Sequence, residues 1–532
     1  MKKYVFAFFF FLISQLSQSQ VACEWAVTYG SVPGVQYYVD DMVTDKAGNV
    51  YVYGIDFDTL GNDTGIIIKY DASGVQQWIK YDSLFSNYFG KIEVDKEGNV
   101  YIICAVSGFS FSADFMTVKF DSNGNTKWQK LYNGPADFTD VPTDVTVDDS
   151  LNVYVTGRSG GINTYYDFAT IKYDSSGAEQ WVARYDFSNN PGDLAYALVV
   201  DSLHNVYVTG QSLDTTNGSI VAVKYDVNGN QLWQKRVYGG VFSTPNCIAI
   251  SQDGFIYVGG SDWAPGTSNY ICIKYDTAGT EQWVARYDAQ DTLPYTAYDF
   301  GRSLALDDSG NVFLTGSQFY GNGISDDFAT VKFNKNGILE WVRTYNGGGG
   351  WDDAFSVLTD HYGNAYVFGQ AQDTNPNFQM FTTIKYDGIG NTQWLATYPI
   401  IPQWSRHHAV SAGLDSLNNI YVSGDYSDLS VGQFLTVKYG VIAGFKENHI
   451  SDKNVFLFPN PFHASSTLHL KLKVRTAKLK IYNTLGVMVR QEEISNSDSY
   501  TLSRGSLADG LYFYELRTNS SELIGTGKFI IN

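Results

Sequence analysis

Short apolar runs alternate with polar clusters through most of the chain, from about residue 25 to residue 439. Within one stretch, the runs 144–148, 153–156, 168–173 and 180–185 are rich in β-branched and aromatic residues, and Asp, Asn, Ser or Gly bounds each of them. This pattern predicts short β-strands joined by tight turns. Helical periodicity is nearly absent, so the sequence predicts an all-β fold.

The same segment recurs eight times, with the consensus Asp-x-x-Gly-Asn followed by Val-Tyr. The Asn position advances by 50 to 56 residues per copy, through Asn49, Asn99, Asn152, Asn205, Phe255, Asn311, Asn364 and Asn419. A period of this length suits four short strands with their turns, which is the unit of a β-propeller blade. The sequence therefore predicts an eight-bladed β-propeller of four-stranded blades.

The tryptophan positions predict how the ring closes. A Trp opens the fourth strand of seven repeats, at positions 78, 128, 181, 233, 283, 341 and 394, but the eighth repeat ends at Tyr439 with no Trp after it. The missing strand is present at the other end of the chain, where Trp25 to Tyr29 resembles Trp181 to Tyr185. An N-terminal strand that completes the last blade would leave no open edge.

Two motifs carry a resemblance to a known repeat family. Asn152 to Gly157 reads Asn-Val-Tyr-Val-Thr-Gly, and Asp167 to Asp174 reads Asp-Phe-Ala-Thr-Ile-Lys-Tyr-Asp. These units resemble the SBBP-type β-propeller repeats of secreted bacterial proteins. That family is named for seven blades, whereas the copies here number eight. The resemblance implies a scaffold and does not by itself imply an enzyme.

The first 19 residues have the features of a secretory signal peptide. Lys2 and Lys3 precede the apolar stretch Val5 to Ile13, and a small polar segment follows. We therefore expect a signal peptide at 1–19, a propeller at 20–440, a linker at 441–453 and a C-terminal domain at 454–532. No apolar run is long enough to span a membrane, and we expect no transmembrane segment and a monomer.

Residues 454–532 alternate as antiparallel strands do and predict a small β-sandwich. Within them, Phe458 to Pro461, Lys480 to Gly486, Leu511 to Tyr514 and Lys528 to Ile531 occur in the order seen in the type A C-terminal sorting domain of type IX secretion. This resemblance implies that the domain engages the type IX secretion machinery. It also implies passage through the periplasm and across the outer membrane, with a secreted or cell-surface location.

Charge narrows the choice of ligand. Residues 20–444 hold 23 basic and 47 acidic residues, a net charge of −24, whereas residues 445–532 carry +3. A body this acidic argues against nucleic-acid binding, which needs a basic surface.

We expect no cofactor and assign no metal ligands. Calcium remains a weak alternative, because no Asp-x-Asp-x-Asp-Gly loop occurs. The four cysteines are interpreted as small buried residues, with a disulfide as the alternative.

Loop lengths point to one face of the propeller. Seven residues separate the Asp or Asn after the third strand from the next Trp in all seven cases, whereas 21 to 28 residues separate each Trp from the next blade's Asn position. We call the face with the varying loops the variable rim and expect binding there. Its candidate residues are Tyr166, Trp263, Tyr298, Trp351, Trp404, His407, Asp193, Asp299 and Asp352.

These aromatic and carboxylate side chains suit a sugar, since rings stack on its apolar faces and polar groups bind its hydroxyls. The alternative is that many of the rings pack between blades. We assign no catalytic residue, and the leading hypothesis is a non-catalytic binding protein for a glycan, an envelope component or another protein. The runner-up is a secreted polysaccharide-acting enzyme, a glycoside hydrolase or lyase, with its site on the variable rim. A purely structural role is the third hypothesis.

Overall fold

The computed structural model describes residues 20–442 and 455–531, apart from short gaps at 31, 33, 59–62, 83–89, 108–111, 137, 188–191, 214–217, 239–242, 265–266, 290–296, 321–325, 349, 373–378, 401–408, 428–431, 459, 461, 484–487, 509 and 520–522. The predicted signal peptide and most of the predicted linker lie outside the described residues. Every regular element in the described part is a β-strand.

The first described strand is β1 (Gln20–Tyr29), and seven blades of four consecutive strands follow it. Blade 1 comprises β2 (Val35–Thr44), β3 (Val50–Asp58), β4 (Thr64–Tyr70) and β5 (Gln76–Asp82). Blade 2 comprises β6 (Gly90–Val94), β7 (Val100–Ser107), β8 (Ala113–Phe120) and β9 (Thr126–Tyr132). Blade 3 comprises β10 (Val141–Val147), β11 (Val153–Gly160), β12 (Tyr166–Tyr173) and β13 (Glu179–Tyr185).

The same arrangement continues around the ring. Blades 4 to 7 comprise β14 (Gly192–Val200), β15 (Val206–Leu213), β16 (Gly218–Tyr225), β17 (Gln231–Tyr238); β18 (Thr244–Ile250), β19 (Ile256–Ala264), β20 (Thr267–Tyr275), β21 (Glu281–Tyr287); β22 (Ala297–Leu306), β23 (Val312–Tyr320), β24 (Asp326–Phe333), β25 (Leu339–Tyr345); β26 (Asp353–Thr359), β27 (Ala365–Gln372), β28 (Gln379–Tyr386) and β29 (Thr392–Ile400).

The eighth blade joins the two ends of the propeller. It contains β30 (Ala409–Leu414), β31 (Ile420–Ser427) and β32 (Gly432–Ile442), and its fourth strand is β1, which pairs antiparallel with β32. The innermost strands contact one another in the order β2, β6, β10, β14, β18, β22, β26, β30 and back to β2. The predicted ring of eight blades, closed by the N-terminal strand, is confirmed.

The repeated Asp-x-x-Gly-Asn segment is the turn between the first and second strands. In blade 2, Asp95 Oδ1 accepts the backbone N–H groups of Glu97 and Asn99, each at 2.9 Å. Its Oδ2 accepts the Asn99 amide and the Tyr101 hydroxyl, both at 2.8 Å. Gly98 has φ +79°, a conformation that glycine adopts without strain. The repeated Asp therefore stabilises the blade.

The turn between the third and fourth strands connects neighbouring blades. Trp128 Nε1 of blade 2 donates to Ser175 O in this turn of blade 3 at 3.2 Å, and Lys119 Nζ donates to the same oxygen at 3.3 Å. Gly177 of that turn lies against the indole, and a Cβ there would come within 2.7 Å of the Trp128 ring. The close contact explains why a glycine follows the repeated Lys-Tyr-Asp motif.

The ring-closing blade uses the same interaction. Trp25 Nε1 donates to Ala72 O of blade 1 at 3.0 Å, and Lys438 Nζ donates to that oxygen at 3.3 Å. Trp25 is buried. In the other blades, one hairpin of consecutive strands carries the Trp and the Lys that make these hydrogen bonds. In blade 8, β1 carries the Trp and β32, about 410 residues later, carries the Lys.

The C-terminal domain comprises β33 (Val455–Phe458), β34 (Ser465–Asn483), β35 (Met488–Ser503), β36 (Gly510–Thr518) and β37 (Leu523–Ile531). The strands form one sheet in the order β33, β34, β36, β37, with β35 on β34. β33 contacts β37, and Phe462 bridges Ile531, so the sheet folds over a single apolar core. The antiparallel strands that the alternation predicts are thus present, in one connected sheet around its own core.

Candidate functional site on the variable rim

The variable rim carries a continuous row of paired residues across blades 5, 6 and 7. Trp263 of β19 pairs with Ser268 of β20, which forms a parallel bridge to Tyr298 of β22. Because Ser268 is small, the rings of Trp263 and Tyr298 approach to 5.7 Å between centroids. The bridge between Ser268 and Tyr298 merges blades 5 and 6 into one eight-stranded sheet.

The row continues into blade 7. Tyr298 pairs with Phe319 of β23, with ring centroids 6.0 Å apart, and Phe319 pairs with Asp326 of β24. Asp326 forms a parallel bridge to Trp351, the residue two before β26. Directly paired residues point to the same face of a sheet. We call the six residues the aromatic row: Trp263, Ser268, Tyr298, Phe319, Asp326 and Trp351.

The rings of the row differ in exposure. Trp351 is 66% exposed, whereas Trp263, Tyr298 and Phe319 are partly buried. The Trp351 backbone is held in place, since its N–H donates to Gln372 Oε1 at 3.2 Å. Trp263 also packs on Phe300, with 5.7 Å between centroids. The row is thus a surface of ordered rings on strand ends, which suits binding of a flat or apolar ligand face.

Tyr166 lies apart from the row, on the variable rim of blade 3. It occupies the position of Ser268 and Asp326 in its own blade and pairs with Gly160. Its ring packs against Phe138 at 5.6 Å, and the Arg158 guanidinium lies 5.2 Å from its centroid. The structure therefore places three of the predicted aromatic residues, Trp263, Tyr298 and Trp351, in one row, and Tyr166 outside it. Trp404 and His407 lie outside the described residues.

The three predicted carboxylates are buried beneath the rim. Asp193 Oδ2 accepts the Phe187 N–H at 2.8 Å, and Asp299 Oδ2 accepts the Ala289 N–H at 3.0 Å. Phe187 and Ala289 each lie two residues beyond the last strand of the preceding blade. The carboxylates therefore hold the loop that connects one blade to the next, and a ligand on the rim surface would not touch them in this geometry.

Asp352 and its counterpart Asp140 in blade 3 hold the connecting loop in the same way, but each accepts two backbone N–H groups. Asp352 accepts the N–H groups of Gly347 at 2.5 Å and Gln372 at 2.6 Å, and its own N–H donates to Asp326 O at 2.9 Å. Asp140 accepts the N–H groups of Gly134 and Gly160 at 2.6 and 2.9 Å. We call Asp140, Asp193, Asp299 and Asp352 the loop-anchoring aspartates.

Burial sets the protonation of these aspartates. Desolvation raises the pKa of Asp299 to about 7 and that of Asp352 to about 7, and it raises the pKa of Asp140 and Asp193 as well. Backbone N–H donors act in the opposite direction at each site. Raised pKa values occur in catalytic acids, but here each carboxyl already has a structural partner.

The candidates chosen from the sequence lack three members of the row, Ser268, Phe319 and Asp326. Ser268 and Asp326 are ordinary polar residues at the starts of β20 and β24, and only the bridges between blades align them with the rings. Phe319 was recognisable from its sequence, because it is an aromatic residue outside the repeat pattern. In the part of the chain that the structure describes, no group of three or more His, Cys, Asp or Glu residues is arranged to hold a metal ion.

Within the described part of the chain, no disulfide bond joins the cysteines. Cys104 and Cys272 are buried, and Cys23 and Cys247 are partly buried. Cys247 and Cys272 both pair with Gly259, from opposite sides of β19. Two strand spacings separate their backbones, roughly 9 to 10 Å, which is too far for a disulfide.

Comparison with known proteins identifies the C-terminal domain. Residues 456–532 match the secretion system C-terminal sorting domain. The protein is a β-propeller with a type IX secretion tail, exported by that system to the cell surface or the surrounding medium. Among the described residues, no helix is long and apolar enough to cross a membrane.

Three solved structures are similar to this chain at low sequence identity. Sqt1 from Chaetomium thermophilum is 12% identical with a TM-score of 0.44, over 77% of this chain and 100% of that one. The β-propeller domain of the Trilobed protease from Pyrococcus furiosus is 9% identical with a TM-score of 0.39, over 68% and 98%. The polysaccharide lyase Uly1 is 9% identical with a TM-score of 0.42, over 65% and 89%.

One curated sequence also matches. An uncharacterized WD repeat-containing protein of Acanthamoeba polyphaga mimivirus is 22% identical over 341 residues. The alignment covers 52% of this chain and only 24% of the viral protein. This similarity concerns the repeats and assigns no activity.

Proposed function

We propose that this exported propeller is a non-catalytic glycan-binding protein, displayed on the cell surface or released, that binds saccharide chains along the aromatic row. The observation that carries the proposal is the pairing of aromatic residues across three blades, with Trp351 exposed at one end. Aromatic rings stack on the apolar faces of sugar rings, and the polar members between them can bind hydroxyl groups.

The rigidity of the row supports binding without a large entropic cost. Its residues sit at the ends of hydrogen-bonded strands, and the loop-anchoring aspartates hold the adjacent loops. The rings are therefore ordered before the ligand arrives, and less free energy is spent on ordering them. The acidic body favours neutral or cationic ligands over anionic ones.

The first test removes the exposed ring. Trp351→Ala should weaken binding of the best ligand from a glycan panel by at least about fivefold, because an aromatic ring that the ligand covers contributes about 1 kcal/mol or more. Isothermal titration calorimetry measures the change. The matched control is Tyr362→Ala, since Tyr362 is 73% exposed in the same blade but lies on the opposite rim. Equal loss in both variants, or in neither, would count against the proposal.

The enzyme hypothesis remains a separate prediction. Its candidate carboxylates Asp193, Asp299 and Asp352 hold backbone N–H groups, so their replacement would disturb the loops as well as any chemistry. Product analysis distinguishes the two functions. Saturable binding without shortened or unsaturated products supports a binding protein, whereas products made by the wild-type chain would establish an enzyme.

A further inference from the structure

Asp326 is the only carboxylic acid in the aromatic row. It is 9% exposed, and its Oδ1 accepts no hydrogen bond from the described residues. Burial raises its pKa to about 6, with the neighbouring Asp353 carboxylate as the second cause. A buried carboxyl oxygen without a donor is costly, so a ligand that donates to it would recover that free energy.

The charges around Asp326 are mainly negative. Arg302 is the nearby cation, and its guanidinium is engaged by Asp353 at 3.4 Å and lies 5.2 Å from the Phe355 ring. Asp327 accepts the Asn346 amide at 2.7 Å. Among the described residues, the Asp353 and Asp327 carboxylates and the Arg302 guanidinium are the charges that act on Asp326. The excess negative charge favours a cation at this end of the row.

We propose that the aromatic row selects sugars that carry a free amine, with the Asp326 carboxyl accepting a hydrogen bond from the ammonium group while a neighbouring ring stacks on the sugar. This inference rests on the proposed glycan binding. A sugar hydroxyl can also donate to Asp326, but a charge-assisted hydrogen bond is roughly twice as strong as a neutral one. An N-acetylated sugar loses that charge.

The test uses three β-1,4-linked glucose-type oligosaccharides of equal length that differ only at C2, bearing an amine, an acetamide or a hydroxyl group. Calorimetric titration of the full chain near neutral pH and low salt should give about tenfold tighter binding of the amine series than of the hydroxyl series. Asp326→Asn should abolish this preference, so that the variant binds the amine and hydroxyl series with affinities within about twofold of each other.

Two further variants keep the result interpretable. Asp326→Ser installs the residue that occupies the equivalent position in blade 5, Ser268, and should behave as Asp326→Asn does. Asp308→Asn removes the same charge from an exposed turn of the same blade on the opposite rim, and should keep the preference.

The outcomes separate this inference from the proposed function. Equal affinity for the three oligosaccharides, or a preference that survives Asp326→Asn, overturns the role of Asp326 and leaves glycan binding intact. Absence of binding by all three series and by the wider panel overturns the proposed function itself.

Discussion

At the scale of single residues, position in the blade decides what an aspartate does. Asp121 lies in an exposed turn, where the N–H groups of Asn125 and Asn123 lower its pKa. Asp299 is fully buried beneath the rim, where desolvation raises its pKa. The same side chain is thus stabilised as an anion in one place and as a neutral acid in the other.

The raised pKa of Asp299 predicts how stability varies with pH. An unfolded aspartate titrates near about 4, so between about pH 4 and 7 the folded protein binds a proton that the unfolded chain does not. The resulting stabilisation is complete below about pH 4 and is lost as the pH rises through 7, with an upper bound of about 4 kcal/mol. Asp299→Asn should flatten this decline, measured by urea unfolding across the pH range.

Asp121→Asn is the control for that measurement. Its lowered pKa has the opposite sign, so the stability that its carboxylate contributes is present at neutral pH and is lost on acidification. Asp121→Asn should be less stable than wild type at neutral pH, and that difference should shrink on acidification. If Asn keeps the Ala289 contact, it mimics the neutral acid, so Asp299→Asn should match wild type near pH 4 and become the more stable protein as the pH rises through 7. Parallel pH profiles for wild type and Asp299→Asn would contradict the raised pKa.

At the scale of the elements, one blade interface lacks the contact that connects the others. In blade 6, Trp341 Nε1 donates to Gly388 O at 3.3 Å in the turn of blade 7. In blade 7, Trp394 Nε1 is buried and has no partner among the described residues. The reason is topological: β1 replaces the fourth strand of blade 8, so no turn joins its third and fourth strands.

This difference predicts unequal costs for one substitution. Trp341 and Trp394 are 7% and 8% exposed, so Trp→Phe removes a similar amount of buried apolar surface at each site. Trp341→Phe also removes a hydrogen bond, whereas Trp394→Phe removes a donor that is not satisfied. We expect Trp341→Phe to lower the free energy of unfolding by about 1 kcal/mol more than Trp394→Phe does. Chemical denaturation measures both, and equal costs would show that the indole N–H contact contributes nothing.

At the scale of the whole molecule, ring closure depends on ten residues at the start of the propeller. β1 pairs with β32 along its whole length, and Trp25 packs into the core shared by blades 1 and 8. Without β1, β32 would become an exposed edge strand, which can pair with another chain.

Deletion of residues 20–29 should therefore open the ring. Loss of the buried Trp25 alone should cost at least about 3 kcal/mol, and the free edge of β32 should promote self-association. Thermal unfolding and size-exclusion chromatography measure the two effects. A synthetic peptide of residues 20–29 should restore stability when added in trans. An unchanged melting temperature and elution volume would show that β1 is dispensable for closure.

The sequence by itself determined the blade number, the strand order within a blade, the closing strand and the export domain. These features are local or periodic. A turn is specified by Asp, Gly and Asn at fixed spacing, and a repeat of 50 to 56 residues is visible as self-similarity along the sequence. The closing strand was readable because Trp25 carries the same local pattern as the other fourth strands.

Only the tertiary structure decided the site. Whether Asp299 lies on the rim surface or anchors a loop beneath it depends on where the chain of the preceding blade passes. Trp263, Tyr298 and Trp351 are separated by up to 88 residues, and the bridges between blades place them in one row with Asp326. Contacts between repeats leave no periodic trace in loops that vary in length, because each loop is shaped by its neighbour and not by its own sequence alone.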